Sequence, residues 1–304
     1  MSERLTLGTR GSPLALAQAR MTAEALEKAH GWAPGTVHIK TVKTSGDKIQ
    51  DRPLAEVGGK ALWTKELDIA LGAGETDFSV HSMKDVESER PDAFILAAML
   101  ERADVRDRLI GAGTLDDLRQ GAVVGTSSPR RTAQVLRRRP DLQVVSIRGN
   151  VETRLNKVAT GDVDATLLAA AGLDRLGIEA GHAVPVDVML PAPGQAAVGI
   201  ECRRDDDRVR ALLAPINHLP TSMAVALERA FTRALGGTCH SPVAVQAYDH
   251  GADGWHLRAQ LLSSDGSECV EDKTGVADEA AAEAFALAML ERATPAIRML
   301  FETA

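Results

Sequence analysis

The chain has 304 residues, of which 44% are hydrophobic and 25% charged, so it can form two or three compact domains and does not have the composition of a disordered protein. Its net charge of −7 disfavours a general nucleic-acid binder, because non-specific affinity for polyanions comes largely from summed positive charge. The sequence has no run of about 20 apolar residues to span a membrane and no secretory leader. We therefore expect a cytoplasmic protein without a membrane or nucleic-acid partner.

Short strands alternate with helices along the first part of the chain, an order typical of an α/β fold. The first series predicts a strand, a helix, a strand, a helix and two strands at 4–9, 12–30, 36–43, 60–71, 77–80 and 94–100. The second series predicts a strand, a helix, a strand, a helix and a strand at 122–126, 128–139, 142–147, 150–160 and 163–169.

The two series resemble each other in sequence. LGTRGSPLALAQA (7–19) and VGTSSPRRTAQVL (124–136) each combine a strand end, a Gly-Thr pair and a Ser-Pro pair that opens a helix. GETDFSV (74–80) and GDVDATL (161–167) place a glycine and an aspartate at the same spacing before an apolar strand. Chance similarity is the alternative, but two matching pairs in the same order favour a duplicated α/β unit.

The C-terminal part of the chain has a different pattern. A predicted helix at 221–237 precedes alternating strands at 241–248 and 255–263, a third short strand near 268–271 and an Ala-rich helix at 278–292. Consecutive strands joined by short turns pair antiparallel, so this part predicts a small α+β domain.

Two Ser-Pro pairs mark the predicted helix starts at Ser12 and Ser128, each with a hydroxyl at the N-cap and a proline at the first helical position. A helix N-terminus attracts anions, and ligands of open α/β folds gather at the carboxyl ends of strands, where both turns would lie. Simple capping is the alternative. Arg10, Arg130 and Arg131 beside these turns favour an anion site.

Other arginines also lie near predicted helix starts. Arg148 precedes the helix at 150–160 and Arg154 lies in its first turns. Because positive charge at a helix N-terminus opposes the macrodipole, Arg130, Arg131 and Arg154 are locally unfavourable unless they serve a ligand. The arginines at 137–139 lie at a helix C-terminus, where cations are favourable, and we interpret them as structural.

The segment HSMKDV (81–86) follows a predicted strand and brings His81, Lys84 and Asp85 into one loop. Lys84 and Asp85 could form only a surface ion pair. If the loop faces a cleft with many arginines, Asp85 becomes the one acid among bases, able to accept protons or stabilise a developing cation.

Cys239 lies in LGGTCHSP (235–242), a glycine-rich bend after a predicted helix. The three cysteines are widely separated and odd in number, which argues against a disulfide framework or a zinc site, and no metal is expected. A lone cysteine is usually a small buried apolar residue. Covalent attachment of a group is the alternative, because Gly236 and Gly237 could present Cys239 from the small domain.

Eight motifs in order along the chain resemble those of the porphobilinogen deaminase (hydroxymethylbilane synthase) family. They are GTRGSPLALAQ (8–18), VGGKALWTKELDIAL (57–71), HSMKDV (81–86), VGTSSPRR (124–131), IRGNVETRL (147–155), AAAGLDRLG (169–177), LPAPGQAAVGIECR (190–203) and LGGTCHSP (235–242).

This resemblance implies two duplicated α/β domains of the periplasmic-binding-protein type and a small α+β C-terminal domain with a three-stranded antiparallel sheet. Domain 1 would comprise residues 1–99 and 195–217, domain 2 residues 100–194, and domain 3 residues 218–304 with the cysteine loop. The chain would return to domain 1 within PAPGQAAVGIECR, and a helix at 206–213 would close that domain.

The resemblance also implies an enzyme that joins four porphobilinogen molecules head to tail with loss of ammonia and then releases the linear tetrapyrrole by hydrolysis. Its cofactor would be dipyrromethane, a primer of two linked porphobilinogen units held by a thioether to Cys239. We expect a monomer. The alternative function is a two-lobed cytoplasmic receptor for a small carboxylate ligand, without covalent chemistry.

Each matching residue acquires an implied role. Asp85 would be the catalytic residue. The cofactor contacts would be Cys239, Lys84, Thr126, Ser128, Arg130, Arg131 and Arg154. The substrate carboxylates would be bound by Arg10, Ser12, Arg148 and Arg175, together with Arg154. Lys60 and Trp63 would belong to the family's active-site loop and its edge.

The sequence departs from the family pattern at four places. GGKGLF is replaced by GGKALW, HSMKDVP by HSMKDVE, GQG by GQA, and the usual GGC by GGTC, in which Thr238 precedes Cys239. None of these changes removes a charged residue with an implied role, but the last alters the cysteine loop itself.

Overall fold

The structure is a computed structural model that describes residues 5–43, 64–236 and 241–301. The chain divides into two compact units. Unit 1 consists of Met1–Ala103 and Ala196–Met223, and unit 2 of Asp104–Gln195 and Ala224–Ala304. The chain therefore leaves unit 1 after Ala103, returns to it at Ala196 and leaves it again after Met223. The division into three domains stays a prediction.

The described strands, in chain order, are β1 (Leu5–Arg10), β2 (Val37–Val42), β3 (Phe78–Ser82), β4 (Phe94–Met99), β5 (Asp107–Ile110), β6 (Val123–Gly125), β7 (Gln143–Val145), β8 (Ala165–Ala169), β9 (His182–Ala183), β10 (Val198–Arg203), β11 (Val243–Asp249), β12 (Trp255–Leu262) and β13 (Cys269–Gly275). The described α-helices are α1 (Pro13–His30), α2 (Lys65–Gly72), α3 (Pro129–Arg138), α4 (Val151–Ala159), α5 (Ala170–Arg175), α6 (Asp207–Leu213), α7 (Leu219–Ala234), α8 (Glu279–Glu291) and α9 (Pro295–Arg298).

Two five-stranded sheets, one in each unit, have the same topology. The first has the order β2-β1-β3-β10-β4 and the second β7-β6-β8-β5-β9. In each sheet the first three strands are parallel, the fourth is antiparallel to both neighbours, and the fifth returns to the first direction. Strand β10 comes after all the strands of the second sheet in the sequence, but it belongs to the first sheet, where it lies between β3 and β4.

The duplication extends to individual hydrogen bonds. Asp77, just before β3, accepts the backbone N–H of Thr6 at 2.7 Å through its carboxylate and donates its own N–H to the Thr6 carbonyl at 2.8 Å. Asp164, just before β8, makes the same two bonds to Val123 at 2.7 and 2.8 Å. The two aspartates that the sequence aligned therefore fix the same strand registers, which supports a duplicated unit over chance similarity.

A third sheet, β11-β12-β13, is antiparallel throughout and packs against α7 and α8. Phe231 of α7 and Phe285 of α8 both belong to this core, with their ring centroids 5.6 Å apart. The predicted α/β fold class, with two related domains and a small antiparallel sheet, is confirmed.

Several elements differ from the sequence-based expectation. Strand β13 is longer than the predicted short strand, and α7 begins and ends earlier than predicted. Strands β5 and β9 and helix α5 were not predicted, because they are short and their residues show neither clear alternation nor a helical period. Of the helix predicted at 60–71, the part before Thr64 lies outside the described residues.

Candidate functional site

In unit 1, the candidate site residues begin at the turn between β1 and α1. Arg10 is the last residue of β1, and the Ser12 hydroxyl caps α1 by accepting the N–H of Ala15 at 3.3 Å. Pro13 occupies the first helical position, where its missing N–H has no cost. Arg10, Ser12 and Asp85 line the same small pocket at the carboxyl ends of β1 and β3. The structure thus brings together three of the predicted site residues.

Asp85 ends a short 3₁₀ turn, Met83–Asp85, that directly follows β3 and also carries Lys84. The turn is held on the segment that enters strand β10, because the N–H of Met83 donates to the carbonyl of Ala197, the residue before that strand, at 3.1 Å. The Met83 side chain is buried against Gly199, where a Cβ would overlap its sulfur. The antiparallel strand between β3 and β4 therefore fixes the start of the turn that presents Asp85.

In unit 2, the Ser-Pro geometry recurs at the turn between β6 and α3. The Ser128 hydroxyl accepts the N–H of Arg131 at 3.4 Å and caps the helix. The Thr126 hydroxyl accepts the N–H of Ser128 at 3.2 Å. Both predicted hydroxyl residues lie at a helix N-terminus, which favours an anionic ligand.

Arg130 and Arg131 are buried and share one carboxylate that the sequence analysis missed. Asp107, at the start of β5, accepts Arg130 Nη2 at 2.9 Å, Arg131 Nη2 at 2.7 Å and the side-chain amide of Gln195 at 2.9 Å. Burial would raise the pKa of Asp107, but the two arginines hold it far below its usual range. The macrodipole argument alone therefore does not require a ligand here, because Asp107 already compensates both charges.

Arg148, Arg154 and Arg175 belong to two other segments of unit 2. Arg148 follows β7 and precedes Asn150, the N-cap of α4, and Arg154 Nε donates to the carbonyl of Gly149 at 3.1 Å. Arg175 is the last residue of α5, and burial lowers the pKa of its guanidinium. The sequence predicted the helix start at Asn150, whereas α5 could not be identified from its pattern.

Three residues with predicted roles lie outside the described residues. They are Lys60, Trp63 and Cys239. The described chain on either side of Cys239 ends at Gly236, after α7, and resumes at Ser241, before β11. The effect of Thr238 on the cysteine loop therefore stays a question for experiment.

Glu201 on β10 is a second acid that the sequence analysis missed. It is fully buried, and its carboxylate lies within hydrogen-bond distance of His81 and Arg90. Burial opposes its ionisation, but His81 and Arg90 lower its pKa to about 2. The sequence analysis missed Asp107 and Glu201 for the same reason. Their arginine partners are more than 20 residues away in sequence, and no local pattern links them.

Within the described ranges, no group of three or more His, Cys, Asp or Glu side chains could hold a metal ion. In the same ranges no helix is long and apolar enough to cross a membrane.

Comparison with known families covers most of the chain. A family model described as "Porphobilinogen deaminase, dipyromethane cofactor binding domain" matches residues 5–211. A second, described as "Porphobilinogen deaminase, C-terminal domain", matches residues 222–293. The chain belongs to the porphobilinogen deaminase family. The first match also assigns residues 5–211 to a domain type that binds dipyrromethane.

Curated relatives of this family match over nearly their full lengths. The porphobilinogen deaminase of Sphingopyxis alaskensis is 54% identical, with 98% of this chain and 97% of the relative covered. That of Nitrobacter winogradskyi is 52% identical, with 91% of this chain and 89% of the relative covered. Membership of the porphobilinogen deaminase family does not favour the receptor alternative.

Among solved structures, the chain is similar to an ABC-transporter periplasmic substrate-binding protein from Coxiella burnetii, at 14% identity and a TM-score of 0.43, covering 74% of this chain and 96% of that one. A putative methionine-binding lipoprotein from Bacillus subtilis has the same identity of 14% and the same TM-score of 0.43, covering 71% of this chain and 91% of that one.

Proposed function

We propose that the protein is a hydroxymethylbilane synthase. It joins four porphobilinogen molecules head to tail, releases ammonia at each addition and frees the linear tetrapyrrole with water. The observation that carries the proposal is the match of residues 5–211 to the dipyrromethane-binding family, with Arg10, Ser12 and Asp85 on one pocket. We propose three domains with the boundaries given above, acting as a monomer.

The residues at the start of α3 fit the carboxylates of a dipyrromethane. Ser128 and Thr126 supply hydroxyls at a helix N-terminus. Arg130 Nε and Arg131 Nε are buried and have no hydrogen-bond partner among the described residues, so each can donate to a further acceptor. Guanidinium donors bind carboxylates strongly. The cofactor, held by a thioether to Cys239, would supply the nucleophilic pyrrole end to which substrate is added.

Asp85 is the proposed catalytic carboxylate. Its side chain shares the pocket with Arg10 and Ser12, which would bind a carboxylate of porphobilinogen and orient the substrate. Asp85 would then protonate the leaving amine, stabilise the cation that the substrate becomes when ammonia departs, and accept a pyrrole proton. The acid form of Asp85 would give its proton to the leaving amine, and the carboxylate that remains would carry the negative charge that stabilises the cation. Acceptance of the pyrrole proton would then restore the acid form.

The remaining roles follow the family pattern. We propose that Arg148, Arg154 and Arg175 bind substrate or chain carboxylates and that Lys84 contacts the cofactor. Lys60 and Trp63 are proposed to act in the active-site loop. Several arginines are needed because each added pyrrole ring brings an acetate and a propionate.

Intact-mass measurement of the purified protein tests the attachment site. The wild-type protein should exceed its chain mass by one dipyrromethane, and Cys239→Ser should lose that addition together with activity. Cys269→Ser is the matched control, since this half-buried cysteine of β13 should keep the addition. An unmodified and inactive wild-type protein, made with substrate available, would count against the proposed function.

Asp85→Asn tests the proposed catalysis. General acid–base catalysis contributes roughly 10²–10⁴-fold, so turnover should fall by at least about a hundredfold. Porphobilinogen affinity should change little, because Arg10 and Ser12 remain. Steady-state kinetics and equilibrium binding together measure this, and a variant that keeps wild-type turnover would remove Asp85 from the mechanism.

A further inference from the structure

The turn that carries Asp85 is flanked on both sides by one largely buried network of polar and charged side chains. His81 lies four residues before Asp85 and Glu87 two residues after it. Glu201 of β10 lies against His81, and Arg90 joins Glu201 to Glu87. We call these four residues, His81, Glu87, Arg90 and Glu201, the Arg90 clamp.

Arg90 is the centre of the clamp, and each of its five N–H donors has an acceptor. Nε and Nη2 bind the two oxygens of Glu201 at 2.8 Å each. Nη1 donates to Glu87 at 3.0 Å and to the Thr64 hydroxyl at 3.2 Å, and Nη2 also donates to Asp68 at 2.5 Å. With the Arg90 side chain only 8% exposed, a lysine could supply the charge but not this fixed fork of donors.

The clamp holds both ends of the turn Met83–Asp85. Before the turn, His81 Nε2 lies 3.2 Å from Glu201 Oε2. At the start of the turn, the N–H of Met83 donates to the carbonyl of Ala197, the residue before β10. After the turn, the Glu87 carboxylate accepts from Arg90 and, at 3.1 Å, from the Thr64 hydroxyl. The chain between these two anchors is too short to leave Asp85 much freedom.

The clamp also contacts a residue of the pocket wall, although Arg90 itself does not line the pocket. Thr64, which Arg90 binds, lines the same pocket as Asp85 and His81. Glu87 occupies the position where the family pattern has proline. In this chain an ion pair is therefore present where a rigid ring would otherwise restrain the backbone after Asp85.

We propose that Arg90 is a positioning residue for catalysis: through the Arg90 clamp it holds the Asp85 carboxylate where the reaction needs it, without touching substrate. This inference rests on the proposed function, because it concerns the same pocket. It predicts that small changes in the clamp lower the rate of the chemical step more than the affinity for substrate.

The test uses the holoprotein with Arg90→Lys and Glu87→Gln, two variants that keep the side chains' approximate size. For Arg90→Lys we expect kcat to fall by roughly ten- to a hundredfold with KM within about twofold, because a misplacement of about 1 Å can cost about a hundredfold. Glu87→Gln removes one arm, and its kcat should fall by roughly threefold. Both variants should retain the dipyrromethane by intact mass.

Arg203→Lys is the matched control. Arg203 lies on the same strand as Glu201 and binds the carbonyls of Leu71 and Thr76 at 2.9 Å each, so its loss costs stability outside the clamp. At an equal fall in melting temperature, Arg203→Lys should keep kcat within about twofold of wild type. Equal kcat losses in the Arg90 and Arg203 variants, or a clamp variant without dipyrromethane, would overturn the proposal. An inactive wild-type protein would instead overturn the proposed function.

Discussion

A single residue, Ala196, shows how a departure from the family pattern is accommodated. Ala196 has φ 70°, and among the described residues it is the one non-glycine with a left-handed backbone. The sequence has GQA where the family pattern has GQG, and a glycine adopts this conformation without steric cost. The chain passes from unit 2 back to unit 1 between Gln195 and Ala196. The strain therefore lies at a connection whose neighbours are both fixed, Gln195 by Asp107 and Ala197 by Met83.

Replacing Ala196 with glycine should stabilise the protein. The left-handed region costs an L-residue roughly 1–2 kcal/mol, and glycine loses roughly 0.5–1 kcal/mol more than alanine in chain entropy on folding. The expected gain in unfolding free energy is about 0.5–1 kcal/mol, measured by denaturant unfolding. Ala197→Gly is the control: this buried neighbour has no positive φ, so its substitution should destabilise. A loss of stability in both variants would mean that residue 196 carries no strain.

At the scale of elements, the duplicated strand-turn-helix units are the part that the sequence predicted best. The Ser-Pro caps and the aspartates before β3 and β8 act within a few residues or between neighbouring strands, so their patterns repeat visibly. Short strands without alternation were missed, because their burial depends on the rest of the sheet. The hairpin between β12 and β13 could not be placed from the sequence either. Its contact with α3 has no recognisable pattern in the residues of the hairpin or of the helix.

Gly266, in that hairpin, is predicted to be indispensable for the packing of the third sheet on α3. A Cβ there would overlap the carbonyl oxygen of Ala133 and the amide nitrogen of Arg137, and φ is +71°. Gly266→Ala should lower the unfolding free energy by about 2–4 kcal/mol, from overpacking and left-handed strain together. Gly251, in the other hairpin of this sheet, has φ +68° and open space around it. Gly251→Ala should therefore cost only about 1 kcal/mol, and equal losses would contradict the proposed contact.

At the scale of the whole molecule, the sequence predicted the fold class and a site assembled from strand ends. Arg10, Ser12 and Asp85 could be brought together because each lies at or just after the carboxyl end of a parallel strand, and such ends share one edge of a sheet. The buried acids Asp107 and Glu201 could not be predicted, since their arginines come from other elements and only the tertiary fold joins them. In the described part of each unit, a buried carboxylate thus neutralises arginine charge close to that unit's own candidate site residues.

Because of these two carboxylates, the two units should lose stability at different pH values on acidification. The pKa of Glu201 is lowered from 4.5 to about 2, and that of Asp107 is lowered from 3.8. A lowered pKa adds stability that is complete above the unfolded-state value and is lost as pH falls toward the folded-state value. Unit 1 should therefore begin to lose the Glu201 contribution below about pH 4.5, and unit 2 the Asp107 contribution only below about pH 3.8.

Hydrogen exchange of peptides from β10 and from β6, measured by mass spectrometry between neutral pH and pH 2, should detect the two losses separately. Glu201→Gln should lower the unfolding free energy of unit 1 at neutral pH. The gap in unfolding free energy between this variant and the wild type should shrink by about 3 kcal/mol as pH falls, since each pKa unit is worth about 1.4 kcal/mol. Asp107→Asn should act in the same way on unit 2 and at lower pH, with a neutral-pH cost of about 3–5 kcal/mol because two buried guanidiniums lose their counter-charge. A Glu201→Gln difference that stays constant with pH would show that this carboxylate is not ionised in the folded protein.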